Sequence, residues 1–106
     1  MATIDTNDTL LTLINVFSVA PENQSKLATL LAEATTQTMR QLPGFVSASI
    51  HRSLDGTKVV NYAQWRSQAD FEAMRQHPEA AVHMKAAAAL ATFDPILCEV
   101  TESVTA

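Results

Sequence analysis

Apolar residues crowd the segment Thr9–Val19, TLLTLINVFSV, which is rich in Leu, Ile, Val and Thr and too apolar for a surface helix. The pattern predicts a strand buried on both faces. Ahead of it, residues 1–8 are short and polar and are expected to form a flexible arm. Ala20-Pro21-Glu22 ends the strand. Pro21 presets a helical φ near the first position of a helix, and Glu22 suits the positive end of the helix dipole. From there to about Gln41, Leu27, Leu30, Leu31, Ala34, Thr38 and Met39 recur in steps of three and four and draw one helical stripe. Leu42-Pro43-Gly44 stops that helix.

Phe45–Ser53, FVSASIHRS, alternates in part and predicts a second strand. Asp55-Gly56 is a hairpin signal, and Lys58–Arg66, KVVNYAQWR, reads as the return strand. Ser67 and Asp70 resemble a capping box, with Asp where Glu or Gln is usual, and open a helix through about Gln76. Pro78 restarts the chain as an Ala-rich helix that runs to about Leu90. Its small side chains at Ala86–Ala89 favour a close approach of helix to sheet. Phe93–Glu102 is the last strand, with Pro95 marking an edge or a bulge near its start.

The order is β-α-β-β-α-β, the ferredoxin-like α+β sandwich. It implies one four-stranded antiparallel sheet with both helical segments on one face, in a single domain over residues 9–103. Strand parity sends Ile14, Val16, Val60 and Tyr62 to the opposite face. A second copy of the same sheet is the simplest cover for such a face, so a homodimer is expected.

Composition narrows the chemistry by exclusion. The chain has 106 residues, one ordinary domain, and at 47% hydrophobic it can bury a core. Only 17% of residues are charged, against about 25% on average, which fits a surface partly hidden in an interface. Gly44 and Gly56 are the only glycines, so no Gly-rich phosphate loop can be built. Cys98 is the only cysteine, which excludes an internal disulfide, a CxxC pair and a cysteine zinc cluster. His51, His77 and His83 form no HExxH motif, and no metal site is expected. A net charge of −4 without a Lys/Arg run argues against nucleic acid and anionic membrane partners. No apolar run approaches the ~20 residues of a spanning helix. The N-terminus lacks a signal-peptide pattern, so a cytoplasmic location is expected.

Asn61 and Trp65 lie four apart on the third strand and leave the same face, with Ala63 between them. At ~3.3 Å per residue their Cα atoms are about 13 Å apart. An amide and an indole flanking a methyl leave a slot for a flat fused-ring molecule. Asn61 can hydrogen-bond a carbonyl or enolate oxygen there, and Trp65 can stack on the ring. The plain alternative is that Trp65 fills the helix–sheet core and Asn61 caps a hairpin. His83, on the last helix, can take a phenolic proton near neutrality, or be merely a half-exposed helix residue. His51 shares a strand parity with Phe45, Ser47 and Ser49 and is a further candidate lining residue. His77, before Pro78, reads as a cation at a helix C-terminus. Cys98 reads as a small buried hydrophobe, and Met39, Met74 and Met84 as core or pocket lining. The carboxylates sit at caps or exposed helix positions and suggest no acid/base dyad.

The stretch Val59–Phe71, VVNYAQWRSQADF, resembles the antibiotic-biosynthesis monooxygenase family, small dimeric α+β barrel proteins that include cofactor-independent quinol and anthrone oxygenases. The element order extends the resemblance from about Leu10 to Glu102. It implies a homodimer that oxidises a small aromatic substrate with O₂ and needs no cofactor, with Asn61 and Trp65 holding the substrate. It also implies site roles for Phe71, where some anthrone oxygenases have tyrosine, and for Lys85, where they have arginine. Phe71 keeps the ring without the hydroxyl, and Lys85 keeps the charge without the planar fork. His83-Met84-Lys85-Ala86 is similar to a segment of the quinol oxygenases. Haem-degrading relatives offer a rival pattern. Asn15 and His83 match two of its positions, but its helix tryptophan falls near Met74, which breaks it. A barrel that binds a small molecule without turnover is the other alternative.

Overall fold

A computed structural model describes residues 10–106; the expected arm over residues 1–8 lies outside the described residues. The elements are β1 (Leu11–Val19), α1 (Gln24–Gln37), β2 (Phe45–Arg52), β3 (Lys58–Trp65), α2 (Gln68–Arg75), α3 (Pro78–Ala88) and β4 (Ala91–Cys98). This is the βαββαβ order, with the second helical segment split in two. The strands form one antiparallel sheet in the order β2-β3-β1-β4, and the helices pack on one face of it.

β1 differs from the expected doubly buried strand. Leu13, Asn15, Phe17 and Val19 are buried beneath the helices, whereas Ile14, Val16 and Ser18 on the other face are only half-buried. Helices on one side of an antiparallel sheet leave the second face partly accessible, whatever the hydrophobicity of the strand, although Thr12 and Gln64 at one end of that face are buried. That open face carries Ile14, Val16, Val60 and Tyr62, as parity predicts, and Ile96 beside them is 44% exposed.

α1 turns Leu27, Leu31 and Ala34 inward. It ends earlier than its apolar stripe suggests. Thr38 leaves the helical region at φ −124° and ψ −62°, and Met39–Gln41 continues as a short 3₁₀ turn. At the start of α2 the Ser67 Oγ accepts the Asp70 backbone N–H at 3.1 Å and donates to the Asp70 carboxylate at 3.0 Å, so Asp70 closes a side-chain version of the capping box. His77 serves the start of α3 rather than the end of α2. Its Nδ1 accepts the Glu79 backbone N–H at 3.2 Å and caps the N-terminus of α3, where Pro78 takes the first turn. Ala80 and Ala87 are fully buried against the sheet, while the rest of the Ala86–Ala89 run faces outward.

β4 spans Ala91–Cys98 rather than Phe93–Glu102. Its ladder with β1 runs from Val19↔Ala91 to Thr12↔Cys98. A strand persists only while its neighbour supplies hydrogen-bonding partners, and the β1–β4 pairing stops at Thr12↔Cys98. Pro95 sits on this edge strand, where a missing N–H is tolerated.

A bulge between Phe45 and Ser47 shifts β2 against β3. Phe45 faces the helices, and so do Ala48 and Ile50, while Ser47, Ser49 and His51 face away, in line with Gln64, Tyr62 and Val60. Two apolar clusters fill the helix–sheet space. One gathers Leu13, Ala63, Trp65, Phe71, Met74 and Ala80, and the other Phe17, Val19, Leu27, Leu31, Val59 and Ala87. Among the described residues no helix is long and apolar enough to cross a membrane.

Candidate active site

Between the two clusters the packing opens into a cavity of about 520 Å³, lined by residues of both. That volume lies within the range of small-molecule sites. Its floor is the sheet, with Leu13, Asn15 and Phe17 from β1 and Asn61, Ala63 and Trp65 from β3. Its walls come from all three α-helices, including Leu31, Met74 and His83, and Phe93, Pro95 and Leu97 of β4 stand at its edge. The lining is mainly apolar and aromatic, with a few polar groups set into it.

The floor carries two of those groups side by side. Asn15 of β1 lies directly opposite Asn61 of β3, and both side chains take the cavity parity. The Oδ1 of each is buried and has no hydrogen-bond partner. The amide oxygen and nitrogen of such a side chain can exchange places by a flip, so the pair offers a ligand both acceptors and N–H donors. Buried polar groups are nearly always paired, and two orphans together in a cavity mark a place where a ligand or water completes the structure.

Trp65 packs in the helix–sheet core and also lines the cavity. It is only 2% exposed, wedged between Phe45 and Phe71 with ring centroids 5.5 and 6.5 Å away in edge-on arrangements, and it also forms part of the cavity wall. Its packing is what makes its position rigid, and a rigid aromatic wall costs a ligand little entropy. Phe71 and Met74 are buried in the same cluster and line the same space.

His83 reaches the cavity from α3, and its Nε2 lies 3.0 Å from the Thr38 hydroxyl at the end of α1. Arg75, which carried no expected site role, also lines the cavity. It stands one helical turn after Phe71, 5.9 Å from that ring's centre, and is tethered by Glu72 at 3.2 Å. The i, i+4 spacing from an inward-facing Phe71 was the signal that could have found it. Among the described residues no carboxylate lines the cavity. Among the described residues no group of three or more His, Cys, Asp or Glu side chains is placed to hold a metal ion.

Two expected lining residues lie elsewhere. His51 is exposed on the opposite face of the sheet, where its Nε2 meets the Ser49 hydroxyl at 2.9 Å. The β2 bulge reverses the parity that grouped it with Phe45. Lys85 is exposed on α3 and does not line the cavity. Each helical step turns about 100°, so the two steps from His83 carry Lys85 to the outer side. Arg75, rather than Lys85, is among the residues lining the cavity.

Residues 10–89 match the family model for antibiotic biosynthesis monooxygenase. The chain is 50% identical over 103 residues to tetracenomycin-F1 monooxygenase of Streptomyces glaucescens, covering 97% of this chain and 92% of the relative. Its fold matches the crystal structure of a monooxygenase from the gene ActVA-Orf6 of Streptomyces coelicolor, determined in complex with nanaomycin D. The TM-score is 0.82 and the identity 29%, over 97% of this chain and 99% of that one. SnoaB, a cofactor-independent oxygenase from Streptomyces nogalater, superposes with a TM-score of 0.79 and 26% identity, over 90% of this chain and 96% of that one. With its ferredoxin-like sheet, its cavity of aromatic and amide groups and these matches along nearly its whole length, the chain belongs to the antibiotic biosynthesis monooxygenase family.

Proposed function

We propose that the protein is a cofactor-independent monooxygenase that oxidises a quinol, anthrone or related polycyclic phenol with O₂. The observation that carries this reading is the pair of unpartnered amides, Asn15 and Asn61, on the floor of an otherwise apolar, aromatic-walled cavity. An electron-rich phenol becomes a reductant for O₂ once it is ionised, its proton passing to bulk solvent as it binds. The protein's tasks are then to hold the ring system, exclude water and favour the anion. Fixed donors in a dry cavity lower the free energy of the enolate far more than they would in water. The Asn61 and Asn15 amides and the His83 imidazole are the donors, and Trp65, Phe71 and Met74 hold the flat body of the substrate. For an anthrone the balance is simple. One oxygen atom becomes the new carbonyl, the other leaves as water, and the substrate's own methylene supplies both hydrogens. The relatives support this class, since one is named for tetracenomycin F1, one was crystallised with nanaomycin D, and one is described as cofactor-independent.

The functional unit in this reading is a cytoplasmic homodimer joined through the open sheet face. Ile14, Val16, Val60, Tyr62 and Ile96 supply its apolar contact. Sedimentation at micromolar concentration is expected to give a dimer, and a stable monomer would remove this part of the proposal. The activity is tested with purified protein stripped of flavin, haem and metal, in an oxygen electrode with a panel of anthrones and quinols. O₂ uptake with quinone formation is expected. Saturable binding without turnover across the panel would make the chain a binding domain and overturn the enzymatic reading.

A further inference from the structure

Thr38 and His83 are 45 residues apart in sequence, and their side chains meet beside the cavity at 3.0 Å. Thr38 sits where α1 unwinds. Its backbone N–H bonds the Ala34 carbonyl at 3.0 Å, and its own carbonyl accepts the Gln41 N–H at 3.1 Å. Both backbone groups are therefore held. The residue is 5% exposed, and its hydroxyl is turned towards α3. Thr35, one turn earlier, shows the usual destination of a helical threonine hydroxyl, donating to the Leu31 carbonyl at 2.9 Å. Thr38 has turned out of the helical region, and its hydroxyl instead has the His83 Nε2 as its one partner among the described residues.

That bond has a preferred direction. A buried hydroxyl with a single partner satisfies its proton by donating, because accepting would leave the O–H unpaired. Donation requires Nε2 to be unprotonated, and a neutral imidazole whose Nε2 accepts carries its proton on Nδ1. We propose that Thr38 is a positioning residue that donates to Nε2 and locks His83 in the Nδ1–H tautomer. His83 then meets the substrate oxygen as a hydrogen-bond donor that favours the anion, rather than as the base that its sequence context suggests. The ring orientation and the proton position are both set by a residue that lines no part of the cavity itself. The functional side of this inference rests on the oxygenase reading above, whereas the tautomer lock stands without it.

The test has two arms. Long-range ¹H–¹⁵N spectra of the ¹⁵N-labelled protein at about pH 8 read the tautomer of each neutral histidine. His83 is expected wholly as Nδ1–H in the native chain and in Thr38→Ser, and as a mixture in Thr38→Val, which keeps the shape but loses the donor. An Nε2–H ring in the native protein, or a ring unchanged in Thr38→Val, overturns the lock. In oxygen uptake with an anthrone, Thr38→Val is expected to lower kcat by roughly tenfold, the worth of one hydrogen bond, with little change in KM. Thr38→Ser should restore most of the rate. Equal kcat in the native and valine proteins overturns the positioning role. The spectra need no turnover, so an inactive chain with a locked ring would indict the oxygenase reading and leave the lock intact.

Discussion

Asn15 and Asn61 face one another across the β1–β3 ladder, on the cavity side of the sheet, and neither amide oxygen has a hydrogen-bond partner. Residues directly opposite on antiparallel strands have Cβ atoms about 5 Å apart, close enough to act on one ligand together. An unsatisfied buried amide costs about 1–3 kcal/mol. A binding site retains that cost, whereas a purely structural core would have replaced the amides with aliphatic side chains. Asn15→Leu and Asn61→Leu are therefore expected to leave the melting temperature unchanged or to raise it, while each lowers oxygen uptake at least about tenfold, the effect of losing a donor to the developing anion. Calorimetry and an oxygen electrode on the same preparations check both halves. Full activity in either variant would remove that amide from the site.

Trp65 is the only tryptophan in the chain and is buried between Phe45 and Phe71. Its fluorescence is expected to be blue-shifted in the folded protein and quenched in a saturable way by a flat aromatic ligand. Trp65→Phe preserves most of the packing and should fold, with turnover reduced at least about tenfold if the indole is a specific wall of the site. Trp65→Ala removes the centre of one core cluster and is expected to cost about 3–5 kcal/mol of stability, read as an early denaturation midpoint.

The two glycines carry different constraints. Both have positive φ, +84° at Gly44 and +82° at Gly56. Space around Gly56 is open, its nearest neighbour being the Pro21 Cβ at 3.8 Å, so Gly56→Ala should cost only the backbone term of about 1 kcal/mol. A Cβ at Gly44 would collide with the Asp70 side chain, which is engaged in capping α2. Gly44→Ala is expected to cost clearly more than Gly56→Ala in urea unfolding. Equal costs would mean that Asp70 moves aside freely.

Asp55 organises the β2–β3 hairpin. Its Oδ1 accepts the Ser53 hydroxyl at 2.7 Å, the Thr57 hydroxyl at 2.7 Å and the Thr57 backbone N–H at 3.0 Å. These bonds, the Ser53 hydroxyl foremost, lower its pKa from 3.8 to about 2. A folded-state pKa below the unfolded value means that the carboxylate contributes stability above about pH 4, and that this contribution fades as pH falls towards about 2. Asp55→Asn should consequently be less stable than the native protein at neutral pH, with the gap narrowing below about pH 4. A gap independent of pH would show that the charge itself contributes nothing.

Much of the fold is legible in the sequence because its signals are local. The stripe Leu27, Leu31, Ala34 declares a helix, Pro78 divides the second helical segment, and Asp55-Gly56 joins β2 to β3. The spacing of Asn61, Ala63 and Trp65 places all three on one face, since alternation along a strand needs no knowledge of its neighbours. What depends on pairing is not legible. One extra residue at Phe45/Ser47 reverses the faces of β2 and carries His51 out of the site, and nothing in FVSASIHRS announces it. The ends of β4 follow from its pairing with β1, which runs from Val19↔Ala91 to Thr12↔Cys98. Lys85 and Arg75 are both cations on helices, and only the rotation of each helix on the sheet decides which one meets the cavity.

The sequence by itself determined the order of the elements, the aromatic and amide face of β3, and a resemblance that led to the family. Tertiary structure decided that Asn61 faces Asn15, that Thr38 holds His83, and that a cavity opens between two cores. Those relations join residues far apart in the chain. They rest on register, crossing and packing, which no periodicity records, because each depends on what the other strand or helix contributes at the point of contact.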